Sequence, residues 1–339
     1  MNWGGYYDMG NILENKREGL YCPAGDFYVD PRGKVQRAVI THAHSDHARA
    51  GHSYYLCSDS CFPLLQIRIG SKAKIESVPF GKRTKIGSAY VSLHPAGHIL
   101  GSAQIRIEVK GEVWVVSGDY KPQADQTCEA FEVVSCHGFI SECTFGLPVY
   151  RWEDESVVHQ EINHWWRKNA EKEYPSLLFA YSLGKAQRVL AGLEAEGRPV
   201  FVHRAIHSFL KHYEQAGVKF PKIHKVEQGI AYDFSNSLII APPAVEDSAW
   251  VRKMKKAKKG FASGWMSIRG AKRRRNVDRG FVLSDHADWP GLLEVIEGTG
   301  ADRVLLTHGN GDALVRFLTE KGKDVSVLDG AIIRGEEEE

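Results

Sequence analysis

Between Val39 and His52 the chain reads VITHAHSDHARAGH, four histidines and an aspartate within fourteen residues. A buried strand has no use for so many imidazoles, so this stretch must leave a sheet and enter a polar site. Arg37 to Thr41 reads as a short buried strand. His42 and His44 are two apart and point the same way on extended backbone. Ser45 is placed to cap a following helix, with Asp46 and His47 in its first turn. Imidazole and carboxylate together suit a zinc-like ion. Three histidines and one aspartate this close are awkward around a single ion and suit two adjacent ions, each taking a pair.

Two ions need further donors, and the chain offers them where strands end. His98 follows an alternating run in LHPAGHILGS, Asp119 ends VWVVSGDY, and His308 ends RVLLTHG. Each meets a glycine-containing turn, where side chains project from a sheet edge into a site. His52, His94 and His137 lack that setting and read as structural.

The 339 residues, 43% of them hydrophobic, are enough for a sizeable core and suggest two domains. The opening MNWGGYYDMG has no basic stretch followed by an apolar run, so it does not read as a secretory signal. No segment is long and apolar enough to span a bilayer. The six cysteines form no C-x-x-C pair, and reduced thiols in a cytoplasmic protein are expected. Net charge is only +2, but its distribution is uneven. Arg252 to Arg279 holds twelve Lys or Arg and one acid, Asp278, which leaves 44 − 12 = 32 basic and 42 − 1 = 41 acidic residues elsewhere. A mildly acidic body with one strongly basic segment favours a polyanionic partner.

The first half reads as strands joined by turns: FYVD, RAVITH, YVSLHPAGH, GFISECT, and a hairpin of AQIRIEV and EVWVV around Lys110-Gly111. Near Tyr150 the texture changes. EDESVVHQEINHWWRKNAEK carries apolar Val157, Val158, Ile162, Trp165 and Trp166 at helical spacing, with an acidic start and a basic end. SLLFAYS with LGKAQRVLAGLEAEG, and PVFVHR with AIHSFLKHYEQAG, repeat a strand–helix rhythm that argues for βαβ units and a parallel sheet. After the basic segment come GFVLSDHAD, a helix from Trp289, DRVLLTHG, a helix from Asp312, and DVSVLDG.

THAHSDH, HPAGHILGS, SGDY and the late THG together resemble the metallo-β-lactamase superfamily. SECTFG after the SGD motif, an inserted α/β segment, and SDHAD before the last histidine resemble its β-CASP nuclease branch, which includes Artemis, ribonuclease J and the pre-mRNA 3′-end cleaving subunit. GLYCPAGDFYVDP, SLHPAGHILGSAQIRIE, EVWVVSGDYK, SLGKAQR and FASGWMSIRGAKRRRNVDRGFVLSDHADW are similar to bacterial exonucleases associated with an ATP-dependent DNA ligase. The resemblance covers nearly the whole chain. It implies an α/β fold: a metallo-β-lactamase αββα sandwich from residues 1–148 and 266–335, an inserted β-CASP domain at 149–265, and an acidic tail at 336–339. It implies that His42, His44 and His98 hold one metal, that Asp46, His47 and His308 hold the second, and that Asp119 bridges them. Asp30 matches the aspartate that orients the site from behind. Glu142 and His286 match the pair special to the β-CASP branch and, with Asp46, are the candidate catalytic residues. Zinc is the expected metal and manganese the alternative.

The expected activity is phosphodiester hydrolysis by a dimetal-activated water, with His286, oriented by Glu142, serving the leaving oxygen. DNA single strands or ends are the expected substrate, in DNA repair, and a ligase and helicase are partners by family expectation. SLGKAQRVL offers Lys185 and a helix start to a phosphate. GWMSIRGAKRRRN sets Trp265 beside Arg269, Lys272, Arg273, Arg274 and Arg275, a mix suited to a single strand or frayed end. Three rivals stand beside this reading: a β-CASP ribonuclease, a small-molecule ester or lactam hydrolase on the same core, and a non-catalytic nucleic-acid-binding subunit. The residues barely separate DNA from RNA. The large insertion, the basic segment and the Glu142–His286 pair argue against the small-molecule hydrolase. The filled set of seven ligand positions argues against the non-catalytic subunit. Cys143 stands beside Glu142, where a thiol can coordinate or oxidise. Changing Lys272, Arg273, Arg274 and Arg275 together to Ala is expected to weaken DNA binding and flatten its salt dependence, read from affinities measured across a salt series; an unchanged slope would refute the assignment of this segment.

Overall fold

The computed structural model describes residues 12–227, 230–268, 270 and 275–328. Its contacts divide the chain into two compact units, residues 1–151 with 286–338, and residues 152–285.

The first unit holds two sheets. One has six strands in chain order: Glu14–Lys16, Gly19–Cys22, Phe27–Val29, Arg37–Val39, Tyr54–Ser58 and Ile75–Val78. The other has seven, ordered Asp324–Val327, Arg303–Thr307, Gly138–Glu142, Glu112–Val116, Ala103–Val109, Ala89–Pro95 and Thr84–Ile86. The expected hairpin forms, with Lys110 at φ 51° and Gly111 at φ 90°, the paired left-handed residues of a two-residue turn that follows strand twist.

Period-two alternation explains how the sheets pack. Trp114 and Val116 join Phe27, Val29 and Val39 in a core between the two sheets. Val113 and Val115 point the other way, into a layer with Leu292, Val295 and Ile296 of helix Trp289–Gly298 and Leu314 and Leu318 of helix Asp312–Glu320.

The second unit is a six-stranded, wholly parallel sheet, ordered Ile223–Lys225, Val200–Val202, Leu238–Ala241, Ser176–Phe179, Lys258–Ala262 and Arg279–Phe281. Its central strands are buried on both faces and carry unbroken apolar runs such as LIIA, as a covered parallel sheet requires. Helix Glu155–Ala170 is capped by Asp154, which accepts from the Ser156 N–H, and buries Val158, Ile162 and Trp166; Val157 faces solvent. Arg279–Phe281 pairs with Lys258–Ala262, so this unit runs on to Asp285, past the sequence boundary at 265. The sequence places the return to the first unit at residue 266, inside the basic segment, but strand Arg279–Phe281 at the end of that segment still belongs to the parallel sheet. No helix among the described residues is long and apolar enough to cross a membrane.

Gly138 pairs with Trp114, and a Cβ there would run into the indole. Gly138→Ala is expected to cost about 1–3 kcal/mol through overpacking, seen as a lower thermal midpoint; an unshifted midpoint would show that the indole can yield.

Candidate metal centre

In the first unit the donor residues sit at the carboxyl ends of strands. Asp30 follows Phe27–Val29, and His42, His44 and His47 follow its parallel neighbour Arg37–Val39. In the other sheet His98 follows Ala89–Pro95, Asp119 follows Glu112–Val116, Glu142 closes Gly138–Glu142 and His308 follows Arg303–Thr307. The last three of these strands are mutually parallel, and Ala89–Pro95 runs the same way because one antiparallel strand separates it from them. Their carboxyl ends therefore share one edge. There the Ala103 N–H donates to Thr41 O at 2.8 Å and ties the two sheets together.

All seven predicted donors meet in this place. Nε2 of His42 and of His98 each lie 3.1 Å from Nδ1 of His44. Oδ2 of Asp119 is 3.5 Å from His42 Nε2 and 3.8 Å from His98 Nε2. On the other side of Asp119, its Oδ2 is 3.4 Å from His47 Nε2 and its Oδ1 is 4.0 Å from His308 Nδ1. Two donor groups able to hold an ion, His42–His44–His98–Asp119 and His47–Asp119–His308, thus share one carboxylate. Asp46, 56% exposed, stands at the rim with Oδ2 3.6 Å from His47 Nε2.

The donors fit divalent metal. His47 Nε2 and His308 Nδ1 are buried and find no hydrogen-bond partner among the described residues. His47 Nδ1 lies 2.8 Å from Asp30 Oδ2, and His42 Nδ1 lies 3.0 Å from Thr41 Oγ1, which itself donates to Asp30. Protons on those Nδ1 atoms leave the opposite nitrogens as lone-pair donors, the orientation a metal needs. Asp30 also accepts the Thr41 N–H at 2.8 Å, so one carboxylate fixes two rings and the loop between them. Thr41 is the residue that sequence reasoning missed, although it directly precedes the first histidine.

Electrostatics agree. Burial, reinforced by His47, His98 and His44, holds His42 well below the usual histidine range. Burial would push Asp119 up, but His47 and His286 outweigh it and keep the carboxylate well below its usual range. Neutral imidazole and ionised carboxylate are the states that bind metal. Burial opposes protonation of His47, and Asp119, then Asp46, override it and raise its pKa.

Several backbones here are special. Asp30 and His308 have φ of 42° and 49°, uncommon for residues other than glycine and typical of sites the fold holds in place. Gly118, at φ 57°, lies against Thr41, where a Cβ would come within 2.7 Å. Only glycine lets the Asp119 loop approach the histidine loop this closely. The helix expected after Ser45 is instead a single turn, closed by the Ala48 N–H donating to His44 O at 2.8 Å. His44 joins one donor group and His47 the other.

Beside the donors, both carboxylate oxygens of buried Glu142 reach His286 Nδ1, at 3.0 and 2.9 Å. The Tyr120 N–H donates to the same Glu142 at 2.7 Å. The His286 ring packs 4.7 Å from that of His98. Cys143 is buried, and burial, with Glu142 beside it, pushes its thiol up to about 12, so it stays a protonated thiol. Its backbone matters more: the Cys143 N–H donates to Thr307 O and His308 O, fixing the loop that carries His308. His52, His94 and His137 take structural places, bonded to Val35 N–H, to Ser92 and Glu132, and to Val113 N–H.

No family model matches the chain. Over 307 residues, 90% of its length, it is 34% identical to the probable DNA ligase of Opitutus terrae, of which it spans 30%. Over 134 residues, 38% of its length, it is 28% identical to endoribonuclease YSH1 of Gibberella zeae. Over 132 residues, 37% of its length, it is 31% identical to cleavage and polyadenylation specificity factor subunit 3 of Dictyostelium discoideum. It spans 16% of each of those two proteins. These likenesses to nuclease-named and ligase-named proteins agree with the resemblance of the motifs to the β-CASP branch of the metallo-β-lactamase superfamily. The crystal structure of a protein of unknown function from Enterococcus faecalis V583 shares the fold, with a TM-score of 0.61 over 87% of this chain and 80% of that one at 13% identity.

The substrate-contact residues expected from the sequence fare differently. Lys185, expected at a phosphate, is 1% exposed, and its Nζ lies 2.7 Å from Asp285 Oδ1. The Gly184 N–H at that helix start is taken by the Gln187 side chain at 2.7 Å. Trp265 is partly exposed on the turn Gly264–Ser267. The Arg275 guanidinium lies 4.9 Å from the Phe261 ring. Arg269, Lys272, Arg273 and Arg274 lie outside the described residues.

Asp285→Ala removes the carboxylate 2.7 Å from buried Lys185 and is expected to destabilise the protein by about 3–5 kcal/mol. The double change Lys185→Met with Asp285→Leu is expected to cost far less. Urea unfolding of both variants checks the order, and a double variant as unstable as the single would refute it.

Proposed function

We propose that the chain is a dinuclear-metal phosphodiesterase that degrades nucleic acid, most simply a DNA exonuclease acting on single strands or ends in repair. The first unit corresponds to the αββα metallo-β-lactamase core and the second to the inserted β-CASP domain. The observation that carries the reading is one buried carboxylate, Asp119, shared by two donor groups beside the His286–Glu142 pair. The breadth of similarity to a probable DNA ligase supports DNA and work beside a ligase. The endoribonuclease-named relatives support the second reading, a β-CASP ribonuclease.

His42, His44, His98 and Asp119 would hold one ion, and Asp46, His47, His308 and Asp119 the other, zinc or manganese. When bound, such a pair supplies an activated water and neutralises charge on phosphate oxygens. Asp30 and Thr41 keep the imidazole lone pairs aimed inward. Glu142 holds His286 by Nδ1, which leaves Nε2 to carry a proton to the leaving oxygen. Glu142 in turn is fixed by the Tyr120 N–H, so the proton carrier is oriented by main chain rather than by a mobile side chain.

His286→Ala is expected to cut turnover about 100-fold or more while metal content stays near two per chain by elemental analysis. Equal loss of metal would make His286 a ligand and overturn its assigned part. Digestion of end-labelled single- and double-stranded DNA and RNA, with zinc or manganese and with products sized, tests the substrate. Cleavage of RNA alone would favour the second reading, and inert nucleic acid beside rapid ester or lactam hydrolysis would overturn both.

A further inference from the structure

The parallel sheet of the second unit carries a cavity that this chemistry does not use. Its volume of about 520 Å³ falls within the usual size of small-ligand sites. His203 and Arg204, after strand Val200–Val202, form one wall. Glu227, after Ile223–Lys225, and Trp250 and Lys253, after Leu238–Ala241, form the others.

Topology explains why the sheet opens there. Val200–Val202 and Leu238–Ala241 are neighbours, but the chain leaves them in opposite directions. The first continues outward to Ile223–Lys225 through helix Arg204–Gln215, whose Ile206 and Leu210 pack on one face of the sheet. The second crosses Ser176–Phe179 to reach Lys258–Ala262, and Val251 of its short helix packs on the opposite face. Connections that diverge between adjacent parallel strands leave a crevice at the carboxyl edge, the usual ligand position in such sheets.

The lining selects an anion with a flat apolar part. Arg204 and Lys253 make no ion pair among the described residues, whereas Glu227 is matched by Lys225 at 2.7 Å. Trp250 is partly exposed, and its ring lies 6.1 Å from that of His203. His203 Nδ1 accepts the Ala205 N–H at 3.3 Å, capping the helix. Burial and the neighbouring Arg204 keep His203 below its usual pKa, so the neutral ring carries its proton on Nε2 and is a donor there. Indole stacks on bases, and guanidinium and ammonium neutralise phosphate. A base held in a duplex cannot present its face to an indole set in a recess.

We infer that this cavity binds one unpaired nucleotide of a single strand, with its base against Trp250 and its phosphate on Arg204 and Lys253. The inference rests on the nucleic-acid reading above, but not on cleavage.

Fluorescence anisotropy with a phosphorothioate-linked oligothymidylate, which resists hydrolysis, tests it on the full chain. Trp250→Ala, and Arg204→Glu with Lys253→Glu, are each expected to weaken binding about tenfold. Trp250→Phe keeps a stacking face and is expected to bind nearly as well as the unaltered protein. Lys219→Glu, which reverses an exposed charge elsewhere on the unit, is expected to change affinity less than about twofold. Circular dichroism reports whether Trp250→Ala folds; if it does not, the charge-reversed pair decides. Unaltered affinity in a folded Trp250→Ala variant, charge reversal no worse than at Lys219, or equal competition by a duplex of the same length would each overturn the site. A chain that binds in the expected pattern but cuts nothing keeps this site and loses the nuclease reading. A chain that cuts but binds equally in all variants keeps the nuclease reading and loses this site.

Discussion

The first unit is organised around a carboxylate that water cannot reach well. Asp119 is only 6% exposed and has imidazoles of His42, His47, His98 and His308 within 4.0 Å. Burying a charge is costly unless it is paired and hydrogen-bonded. The fold meets that demand with rings from both sheets, so the sandwich and the site are not separable. His42 and His47 arrive from one sheet and His98 and His308 from the other. Every ring must be delivered at the same edge, and that requires four strands of the second sheet to run the same way. The Gly118 approach to Thr41 and the Ala103–Thr41 hydrogen bond set the spacing at which this delivery works.

The donor set was legible because its chemistry is local and periodic. Strand-end histidines before glycine turns announce themselves, and alternation in EVWVV separates the inter-sheet core from the helix layer residue by residue. Less legible was anything that depends on what a side chain meets across the fold. Lys185 reads as a phosphate contact from SLGKAQR, and nothing local announces that Asp285, one hundred residues on, pairs with it. The helix expected after Ser45 has a sound capping residue, but AGH follows too soon for a second turn and tertiary demands on His44 and His47 prevail. The strand Arg279–Phe281 was hidden by the cations before it, because charge says nothing about which sheet a strand will join. His203 and Trp250, 47 positions apart, give no signal in the sequence that they line one recess.

Glu142 shows how a sequence neighbour can mislead. Cys143 stands beside it and looks reactive, but burial silences the thiol while the backbone of the same residue anchors Thr307 and His308. Function there belongs to the amide, which no residue-type pattern can advertise. The same holds for the Tyr120 N–H that steadies Glu142. Main-chain donors just past the strand ends carry much of the positioning in this centre.

Strand register has a consequence for how the chain is made. Strand Gly138–Glu142 pairs with Arg303–Thr307, so its partner emerges from the ribosome only after the entire second unit. At usual elongation rates the interval is roughly 10–30 s. During it Phe139 and Ile140 wait without the strand and helices that cover them, and the centre waits without His308. The second unit, continuous in sequence from 152 to 285, has no such delay. A nascent chain would therefore hold a finished insertion inside an unfinished host, and the donor set would close only after the chain has returned to the first unit.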